Sequence, residues 1–254
     1  VASRFPAVRL IANADNRGFA AANNQALRAA GFEGQTPADE LPDFVILLNP
    51  DTTLQPDALR LWLDAALANP RAGVVGGALR YPDGAFQHSA FAFPTLAQVF
   101  LDFFPLHGRL IDSRLNGRYP RALYAAGTPF AVDHPLGAAM LLRRQAILDA
   151  GLLDEGFFIY AEEVDWCMRL RAAGWPAICA PAVQIVHHEG QSTRQVHSPM
   201  FVRLWESRLR LFARHYGAGF NRLARRLVRL GLRQLRRQAE RQHGRGEIDA
   251  GALA

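Results

Sequence analysis

The 254-residue sequence lacks lysine altogether, contains only two cysteines and has no long apolar run. Two cysteines are too few for a disulfide framework and suit a reducing compartment. Spanning a bilayer takes about 18 consecutive apolar residues, so we predict no transmembrane helix. The opening residues, VASRFPAVRL, also lack the basic segment followed by an apolar one that defines a signal peptide. These absences argue against a disulfide-rich secreted protein and an integral membrane protein, and they predict a cytoplasmic location.

The residues that are present indicate a folded protein with an uneven charge. Half of the sequence is hydrophobic and 20% is charged, which excludes a collagen-like or wholly disordered chain. The length suits one large α/β domain, alone or with an appendage. Residues 203–254 hold 13 arginines against four acidic residues, a formal charge of +9, and since the whole chain carries +6, residues 1–202 carry −3. A basic tail of this kind favours an anionic partner, either a membrane or a nucleic acid.

Apolar runs and turn-forming residues alternate along the chain. In the first 80 residues they predict strands at 8–13, 44–48 and 73–79, and helices at 19–30 and 56–69. This β-α-β-α-β order is typical of a parallel sheet with helices on its faces. The remaining expectations are a short helix at 96–104, strand character at 130–143, a helix at 162–173, strands at 177–180 and 183–186, and amphipathic helices at 199–216 and 220–242.

Asp51 directly follows FVILL, the most strand-like run of the chain. In open α/β sheets, ligands bind at the carboxyl ends of the strands. A carboxylate at that position can hold Mg²⁺ or Mn²⁺ against a diphosphate, because these cations prefer oxygen ligands. Alternatively, Asp51 and Thr52 only form the turn after the strand, and position alone favours this second interpretation.

Three acidic residues, Glu162, Glu163 and Asp165, open the predicted helix at 162–173. Glu162, Asp165 and Arg169 fall on or near one helix face, whereas Glu163 is rotated away from Glu162 by about 100°. One acid can therefore pair with Arg169 while another faces a cleft as a general base. The alternative is that all three acids only complement the helix dipole.

Two adjacent histidines, His187 and His188, follow the predicted strand at 183–186. Imidazole at a strand end can bind a metal. Neighbours on an extended chain point to opposite sides, so we expect at most one of the two to enter a site. A structural or surface role for both is the alternative.

Taken together, several segments resemble family 2 inverting glycosyltransferases, and within them a bacterial rhamnosyltransferase-like branch. The resemblance covers roughly residues 5–195 and rests on ordered segments: LIANADNRGFAAANNQAL, VILLNPDTTLQPDAL, GALRYPDGAFQHSAFAFPTL, GAAMLLRRQAI, DEGFFIYAEEVDWCMRLRAAGW and VHHEGQST. It implies an α/β fold of the GT-A type, with a mostly parallel nucleotide-binding sheet flanked by helices. The implied division is a transferase domain at 1–198, with an acceptor-side region at 81–143, followed by a basic helical extension at 199–254.

The resemblance also implies roles for individual residues. Asp51 is the remaining acid of an Asp-x-Asp metal motif whose first position is Asn49 here, and His187 matches a metal ligand of some relatives. Glu163 corresponds to the catalytic base of a Glu-Asp pair, where it replaces the usual aspartate. The implied donor- and acceptor-binding residues are Asn16, Gly18, Phe19, Asn23, Asn49, Gly137, Glu162, Asp165, Trp166 and Arg169.

The implied reaction moves a sugar, with rhamnose as a candidate, from a dTDP- or UDP-linked donor to a glycan or polyprenyl-linked acceptor during cell-surface polysaccharide synthesis. Glu163 takes the proton of the acceptor hydroxyl, and Mg²⁺ or Mn²⁺ at Asp51 neutralises charge on the departing diphosphate. One displacement inverts the anomeric carbon. A noncatalytic transferase-like scaffold is the alternative.

Relatives in this family begin with a strand-helix-strand unit before the region that matches Val8, and that unit is not found in this sequence. We therefore expect the 254-residue chain to be weakly active or inactive, because part of the donor site belongs to the unit. A turnover assay with and without a restored unit tests this expectation, and equal rates would refute it.

Residues 220–237 alternate apolar residues with arginines. Phe220, Leu223, Leu227 and Leu230 form one stripe, and arginines surround it. A basic amphipathic helix of this kind can lie on an anionic membrane at the inner face of the cell membrane; alternatively, its leucines pack on the body. A nucleic-acid-binding protein would also be basic, but no zinc-finger spacing, RNP-like motif or recognition-helix pattern is present, so we expect no nucleic-acid partner.

Overall fold

The computed structural model describes residues 3–104, 106–188 and 197–245. The segment EGQST of the quoted motif VHHEGQST and the last nine residues of the predicted basic extension lie outside the described residues. A central sheet is flanked by helices, which confirms the predicted α/β class. The helices are α1 Phe19–Ala29, α2 Ala58–Ala68, α3 Leu96–Phe103, α4 Gly108–Ile111, α5 Arg121–Ala125, α6 Arg144–Ala150, α7 Glu162–Ala172, α8 His197–His215 and α9 Ala218–Gly244. The strands are β1 Phe44–Leu48, β2 Thr52–Leu54, β3 Val74–Arg80, β4 Phe86–Gln87, β5 Ala90–Phe91, β6 Phe130–Val132, β7 His134–Pro135, β8 Ala139–Arg143 and β9 Ala177–His187.

The main sheet has the strand order β1-β8-β3-β9-β2, with β4 paired to β3 and β6 paired to β9. Within the described residues, only the β3–β9 pair is parallel, and the pairs β1–β8, β3–β8, β2–β9, β3–β4 and β6–β9 are antiparallel. The predicted mostly parallel sheet is therefore wrong. Strands β1 and β3 do run in the same direction, as the alternating pattern predicted. The error arises because β8 inserts between them in the opposite direction, and this pairing joins residues roughly 60 to 100 positions apart.

The predicted strand at 8–13 is also wrong, since this segment forms no ladder in the structure. Its apolar side chains Val8, Leu10 and Ile11 are 54%, 54% and 41% exposed. An apolar run becomes a strand only where a neighbouring strand supplies hydrogen bonds, and in the described residues β1 pairs with β8 alone. The two strands predicted at 177–180 and 183–186 form one strand, β9, whose register against β3 shifts at Gly77.

Alternating residues of the strands supply a core on both faces of the sheet. Met140 and Leu142 belong to a cluster with Trp166, where α1, α6 and α7 cover one face. Leu141, between them, belongs to the other cluster, where Trp62 of α2 covers the opposite face. This alternation is the period-two pattern of an extended chain. The sheet is therefore a rigid base from which the loops after its strands project.

A third cluster joins α3, α7, α8 and α9 through residues that include Phe103, Val164, Phe212 and Val228. The described part of the predicted extension at 199–254 consequently shares a core with the preceding residues. None of the helices in residues 3–104, 106–188 and 197–245 combines the length and apolarity needed to cross a bilayer.

Gly231 in the middle of α9 packs directly on α3. A Cβ atom at this position would lie 2.0 Å from Cγ of Phe103. Glycine weakens an isolated helix by about 1 kcal/mol relative to alanine, so helix propensity alone favours Gly231→Ala. We expect the opposite in this protein, a loss of about 1–3 kcal/mol in the free energy of unfolding, because the added methyl group overpacks the α3–α9 contact. Urea unfolding measures the change. Gly219→Ala in the same helix is the control, since nothing lies within 4 Å of its Cβ position, and a gain in stability for Gly231→Ala would contradict the packing argument.

Candidate active site

Asp51 lies in a tight turn between β1 and β2. The N–H of Asn49 donates to the carbonyl of Ala138 at 2.8 Å, which ties the end of β1 to the start of β8. The N–H and Oγ1 of Thr52 both donate to the carbonyl of Asn49, at 3.2 and 2.7 Å. Asp51 and Thr52 therefore do form a turn directly after β1.

The carboxylate of Asp51 faces His187 across the pair formed by β2 and β9. Its Oδ1 lies 3.6 Å from Nε2 of His187, and this oxygen is buried without a hydrogen-bond partner. Nδ1 of His187 lies 3.3 Å from Oε1 of Gln87, which orients the ring. His188 instead lies 3.5 Å from the hydroxyl of the exposed Thr53, so only one of the two histidines faces Asp51. Gln87 was not predicted as a site residue, because no local sequence pattern connects it to His187, which is 100 positions away.

Asp51 and His187 suit a cation whose remaining coordination positions are filled by water and a substrate. Residues 3–104, 106–188 and 197–245 contain no group of three or more His, Cys, Asp or Glu side chains that could hold a metal. Mg²⁺, however, commonly takes one or two protein ligands and completes its shell with water and substrate phosphates. The unpartnered oxygen of Asp51 is an atom that such a cation would satisfy. A distance of 3.6 Å to His187 is too long for a hydrogen bond but allows both atoms to contact one ion.

A strained turn directly precedes the acidic residues at the start of α7. Tyr160 and Ala161 adopt φ values of 69° and 64°, a left-handed conformation that is uncommon for residues other than glycine. Each such residue costs about 1–3 kcal/mol and persists only where the surrounding structure enforces it. The turn ends at Glu162 and Glu163, which are the first two residues of the helix. Strain of this kind is concentrated at functional sites.

Glu163 lines a cavity of about 300 Å³ between α3, α7 and α8. A Cβ atom on Gly137 would lie 3.3 Å from Cβ and Cγ of Glu163, so the glycine leaves room beside the carboxylate. Two arginines, Arg118 and Arg208, also line the cavity, as does the buried His134. Burial lowers the pKa of His134 to about 4, so its ring is neutral and contributes a stacking surface. Arg208 was predicted only as part of the basic tail, and the fold brings it into this cavity.

Burial raises the pKa of both neighbouring carboxyl groups, Glu162 and Glu163. Glu162 is 5% exposed, and burial together with the negative charge of Glu163 raises its pKa to about 8. The guanidinium of Arg208 opposes the rise in the pKa of Glu163 by favouring the ionised form. Burial thus favours the protonated form of both carboxyl groups, and Arg208 favours the ionised form of Glu163. Of the two, Glu163 lines the cavity and is therefore the carboxyl that can accept a proton from a ligand there once it is ionised.

Three residues predicted to contact substrates, Asp165, Trp166 and Arg169, are engaged inside the protein. Asp165 is 0% exposed, and its carboxylate accepts hydrogen bonds from Arg169 at 2.9 Å and His215 at 2.7 Å. Arg169 also donates to two main-chain carbonyls at the end of α6, and the Trp166 indole donates to Gly151. These side chains anchor α7 and are positioning residues, a correction to their predicted role. The Asp165–Arg169 pair follows from helical spacing, but His215 comes from α8.

The loop before α1 contacts the segment that leads to the strained turn. Gly18 has φ +84°, and a Cβ there would lie 2.3 Å from the carbonyl oxygen of Phe158. The same carbonyl accepts the N–H of Phe19 at 2.9 Å. Asn16 Oδ1 accepts the N–H of Gly18 at 3.0 Å, and Asn23 donates to the carbonyl of Phe19 at 2.9 Å. The four predicted residues of this region are therefore adjacent to the approach to Glu162 and Glu163.

Asn24, which was not predicted as a site residue, holds α1 against the loop before α7. It is 1% exposed, donates to the carbonyl of Leu153 at 2.9 Å and accepts the N–H of Leu153 at 3.1 Å. The sequence did contain a signal for it. Ala20, Asn24 and Leu27 share the buried face of α1 at helical spacing, and a polar residue on such a face needs a partner.

Asp51 and Glu163 flank one short turn, between β7 and β8. Ala138 accepts the hydrogen bond from Asn49, next to the Asp51 turn, and Gly137 lies against Glu163. Two consecutive residues thus lie between the turn that holds Asp51 and the cavity that Glu163 lines. The turn that holds Asp51 and the helix that holds Glu163 therefore both contact the segment before β8.

Comparisons with known proteins bear on this arrangement. The family profile described as "Glycosyltransferase like family 2" matches residues 1–217. The chain is 33% identical over 196 residues to the N-acetylglucosaminyl-diphospho-decaprenol L-rhamnosyltransferase of Mycobacterium tuberculosis, covering 75% of this chain and 62% of that protein. It is 28% identical over 211 residues to the rhamnosyltransferase WbbL of Escherichia coli, covering 78% of this chain and 70% of that protein. The chain therefore spans about three fifths of the M. tuberculosis relative.

Proposed function

Because the chain belongs to glycosyltransferase family 2, we propose that it transfers a sugar from a nucleoside diphosphate to a hydroxyl group of a glycan or polyprenyl-linked acceptor. The observation that carries this proposal is that a buried carboxylate oxygen of Asp51 has no hydrogen-bond partner, while Glu163 lines a cavity, and the segment 137–138 contacts both the Asp51 turn and Glu163. A family 2 transferase needs these two parts, one for the leaving diphosphate and one for the attacking hydroxyl.

Asp51 and His187 form the donor side of the proposed site. They would hold Mg²⁺ or Mn²⁺, which when bound neutralises the charge that develops on the departing diphosphate. Asn49 fixes the turn that aims Asp51, and Gln87 orients His187. The loop with Asn16 and the first turn of α1 lie beside the approach to α7, which supports their assignment to the nucleotide sugar.

Glu163 forms the acceptor side. Its carboxylate accepts the proton of the acceptor hydroxyl while that oxygen bonds to the anomeric carbon, and the bond from this carbon to the diphosphate breaks. A single displacement of this kind inverts the anomeric carbon and forms no covalent enzyme intermediate. Arg118 and Arg208 supply positive charge in the same cavity, and Gly137 leaves space for the acceptor beside Glu163.

Rhamnose is the sugar we propose, carried on dTDP or UDP, with a role in cell-surface polysaccharide synthesis. The names of the two relatives, both rhamnosyltransferases, support this assignment. The M. tuberculosis name includes a diphospho-decaprenol, which supports a polyprenyl-linked acceptor. Such acceptors are held in membranes, so we also propose that the protein works at the inner face of the cell membrane, with residues 1–198 as its transferase domain.

Asp51→Asn tests the donor side. We expect the low rate at which the parent chain releases nucleoside diphosphate to depend on Mn²⁺ and an acceptor, and Asp51→Asn to lower this rate by roughly 10²–10³-fold. The variant should also lose the rise in melting temperature that Mn²⁺ and dTDP produce together in the parent. Asp43→Asn, at the other end of β1 and 75% exposed, is the matched control and should retain both properties. Metal-dependent turnover that survives in Asp51→Asn would remove Asp51 from the site. No turnover with any donor would favour the noncatalytic alternative.

A further inference from the structure

Helix α9 has two opposite faces of different character. Ala224, Val228 and Gly231 are buried against the body, with Gly231 on Phe103 of α3. The arginines project from the other side. At about 100° per residue, they fall within an arc of roughly 120° opposite the buried stripe. The exposed members are Arg222, Arg225, Arg226, Arg229, Arg233, Arg236 and Arg237. We call these seven residues the arginine face.

The positive charge of the arginine face is almost uncompensated. Within the described residues, the only ion pair of this face joins Arg236 to Glu240 at 2.8 Å, and Glu240 is the only acidic residue of α9. The arginines of α8 are different, because Arg208, Arg210 and Arg214 pair with aspartates of the body. Six cations therefore remain on a helical surface about 24 Å long. A concentration of charge of this kind attracts an extended anionic surface.

Exposed leucines border the arginine face on both sides. Leu223 and Leu230 are 47% and 52% exposed along one edge, and Leu232 is 44% exposed along the other. The phosphates of a nucleic acid attract the charge of such a helix, but leucines beside it gain nothing from contact with the phosphate backbone. A bilayer interface rewards both, since arginines meet lipid phosphates while apolar side chains enter the boundary between headgroups and acyl chains. The leucines therefore favour a lipid surface.

The arginine face is also connected to the cavity of Glu163. Helix α9 packs on α3, and Gln98, Val99 and Asp102 of α3 form one wall of that cavity. A surface bound to α9 thus lies one helix away from the carboxylate that we propose as the base.

We propose that α9 lies along an anionic lipid bilayer through its arginine face and thereby presents the Glu163 cavity to an acceptor held in the same bilayer. The lipid contact stands on the charge and the exposed leucines alone. Its use in acceptor delivery rests on the proposed function. The two parts can fail separately, because vesicle binding is measured without donor, acceptor or metal.

The test is flotation of the whole chain with vesicles of phosphatidylcholine, with or without phosphatidylglycerol. We expect binding only to the anionic vesicles, and weaker binding as salt rises from about 0.1 to 0.5 M. The triple variant Arg225→Gln, Arg229→Gln, Arg233→Gln should bind at least tenfold more weakly. The control is the triple variant Arg60→Gln, Arg71→Gln, Arg109→Gln, which removes the same charge from exposed positions outside α9 and should bind like the parent. Equal losses in the two variants, or no binding by the parent, would overturn the proposal.

Leu230→Gln separates the lipid surface from a nucleic acid. It should lower vesicle binding severalfold and leave the melting temperature unchanged, because the side chain is half exposed. Binding to duplex DNA at matched salt is the comparison. Stronger binding to DNA than to anionic vesicles, unaffected by Leu230→Gln, would assign the arginine face to nucleic acid and overturn the proposal.

Discussion

Glu163→Gln should lower the rate of sugar transfer by roughly 10²–10⁴-fold, the range that removal of a general base produces. Glutamine keeps the shape of the side chain beside Gly137 but cannot accept the proton of the acceptor hydroxyl. The variant should fold at least as well as the parent, because the substitution removes a carboxylate whose burial raises its pKa. Initial rates of nucleoside diphosphate release, measured with melting temperatures, test both statements.

Glu163→Asp is the matched control, since it retains the carboxylate and shortens its arm by one methylene. The resemblance implies that aspartate is the usual residue at this position, so we expect a much smaller loss for Glu163→Asp than for Glu163→Gln. Equal losses would mean that the carboxylate serves only for packing.

The pH dependence of the rate gives a second measure of the same residue. A base acts only when it has lost its proton, and burial raises the pKa of Glu163. The rate of the parent should therefore rise with pH, with a midpoint above the ordinary glutamate value of 4.5. In Glu163→Gln, the residual rate should lose this rise. A parent rate that is already constant at pH 5 would contradict the role of Glu163, because it would mean that the pKa of the base is not raised by burial.

The local elements and the candidate acidic residues were both identified from short stretches of sequence. FVILL predicts β1, and the residues directly after it contain Asp51. The sequence predicts the start of α7 at Glu162 and its end within one residue, and helical spacing predicts the neighbouring positions of Asp165 and Arg169. Resemblance to a family then supplied roles that spacing alone left open.

Contacts between distant segments could not be predicted in this way. The insertion of β8 between β1 and β3, which turns a parallel pattern into a mixed sheet, depends on pairing across roughly 60 to 100 residues. Gln87 beside His187 and Arg208 near Glu163 belong to the same class of contact. Each joins elements that are remote in sequence, and no hydrophobic period or capping residue encodes it. The local errors had the same origin, since the strand predicted at 8–13 has the right residues but no ladder partner.

Asp165→Asn should cause the largest loss of stability, about 3–5 kcal/mol in the free energy of unfolding. The carboxylate is fully buried and contacts Arg169, His215 and Arg214 at 2.9, 2.7 and 3.3 Å. An amide of the same shape leaves these groups facing a neutral side chain and turns an NH₂ group toward donors. For a protein of this size, the melting temperature should fall by about 2–4 °C for each kcal/mol. Chemical unfolding of the parent and the variant gives the magnitude.

The control for Asp165 is Asp64→Asn, which also breaks an aspartate–arginine pair four residues apart, with Arg60. Both partners of that pair are more than half exposed, so its loss should cost at most about 0.5 kcal/mol. A loss below about 1 kcal/mol for Asp165→Asn would contradict the anchoring role.

The substitution should also affect catalysis. Asp165 joins α7 to α8, the helix that brings Arg208 into the cavity, so Asp165→Asn should weaken catalysis by displacing Glu163 and Arg208 relative to each other, even at temperatures where the chain remains folded.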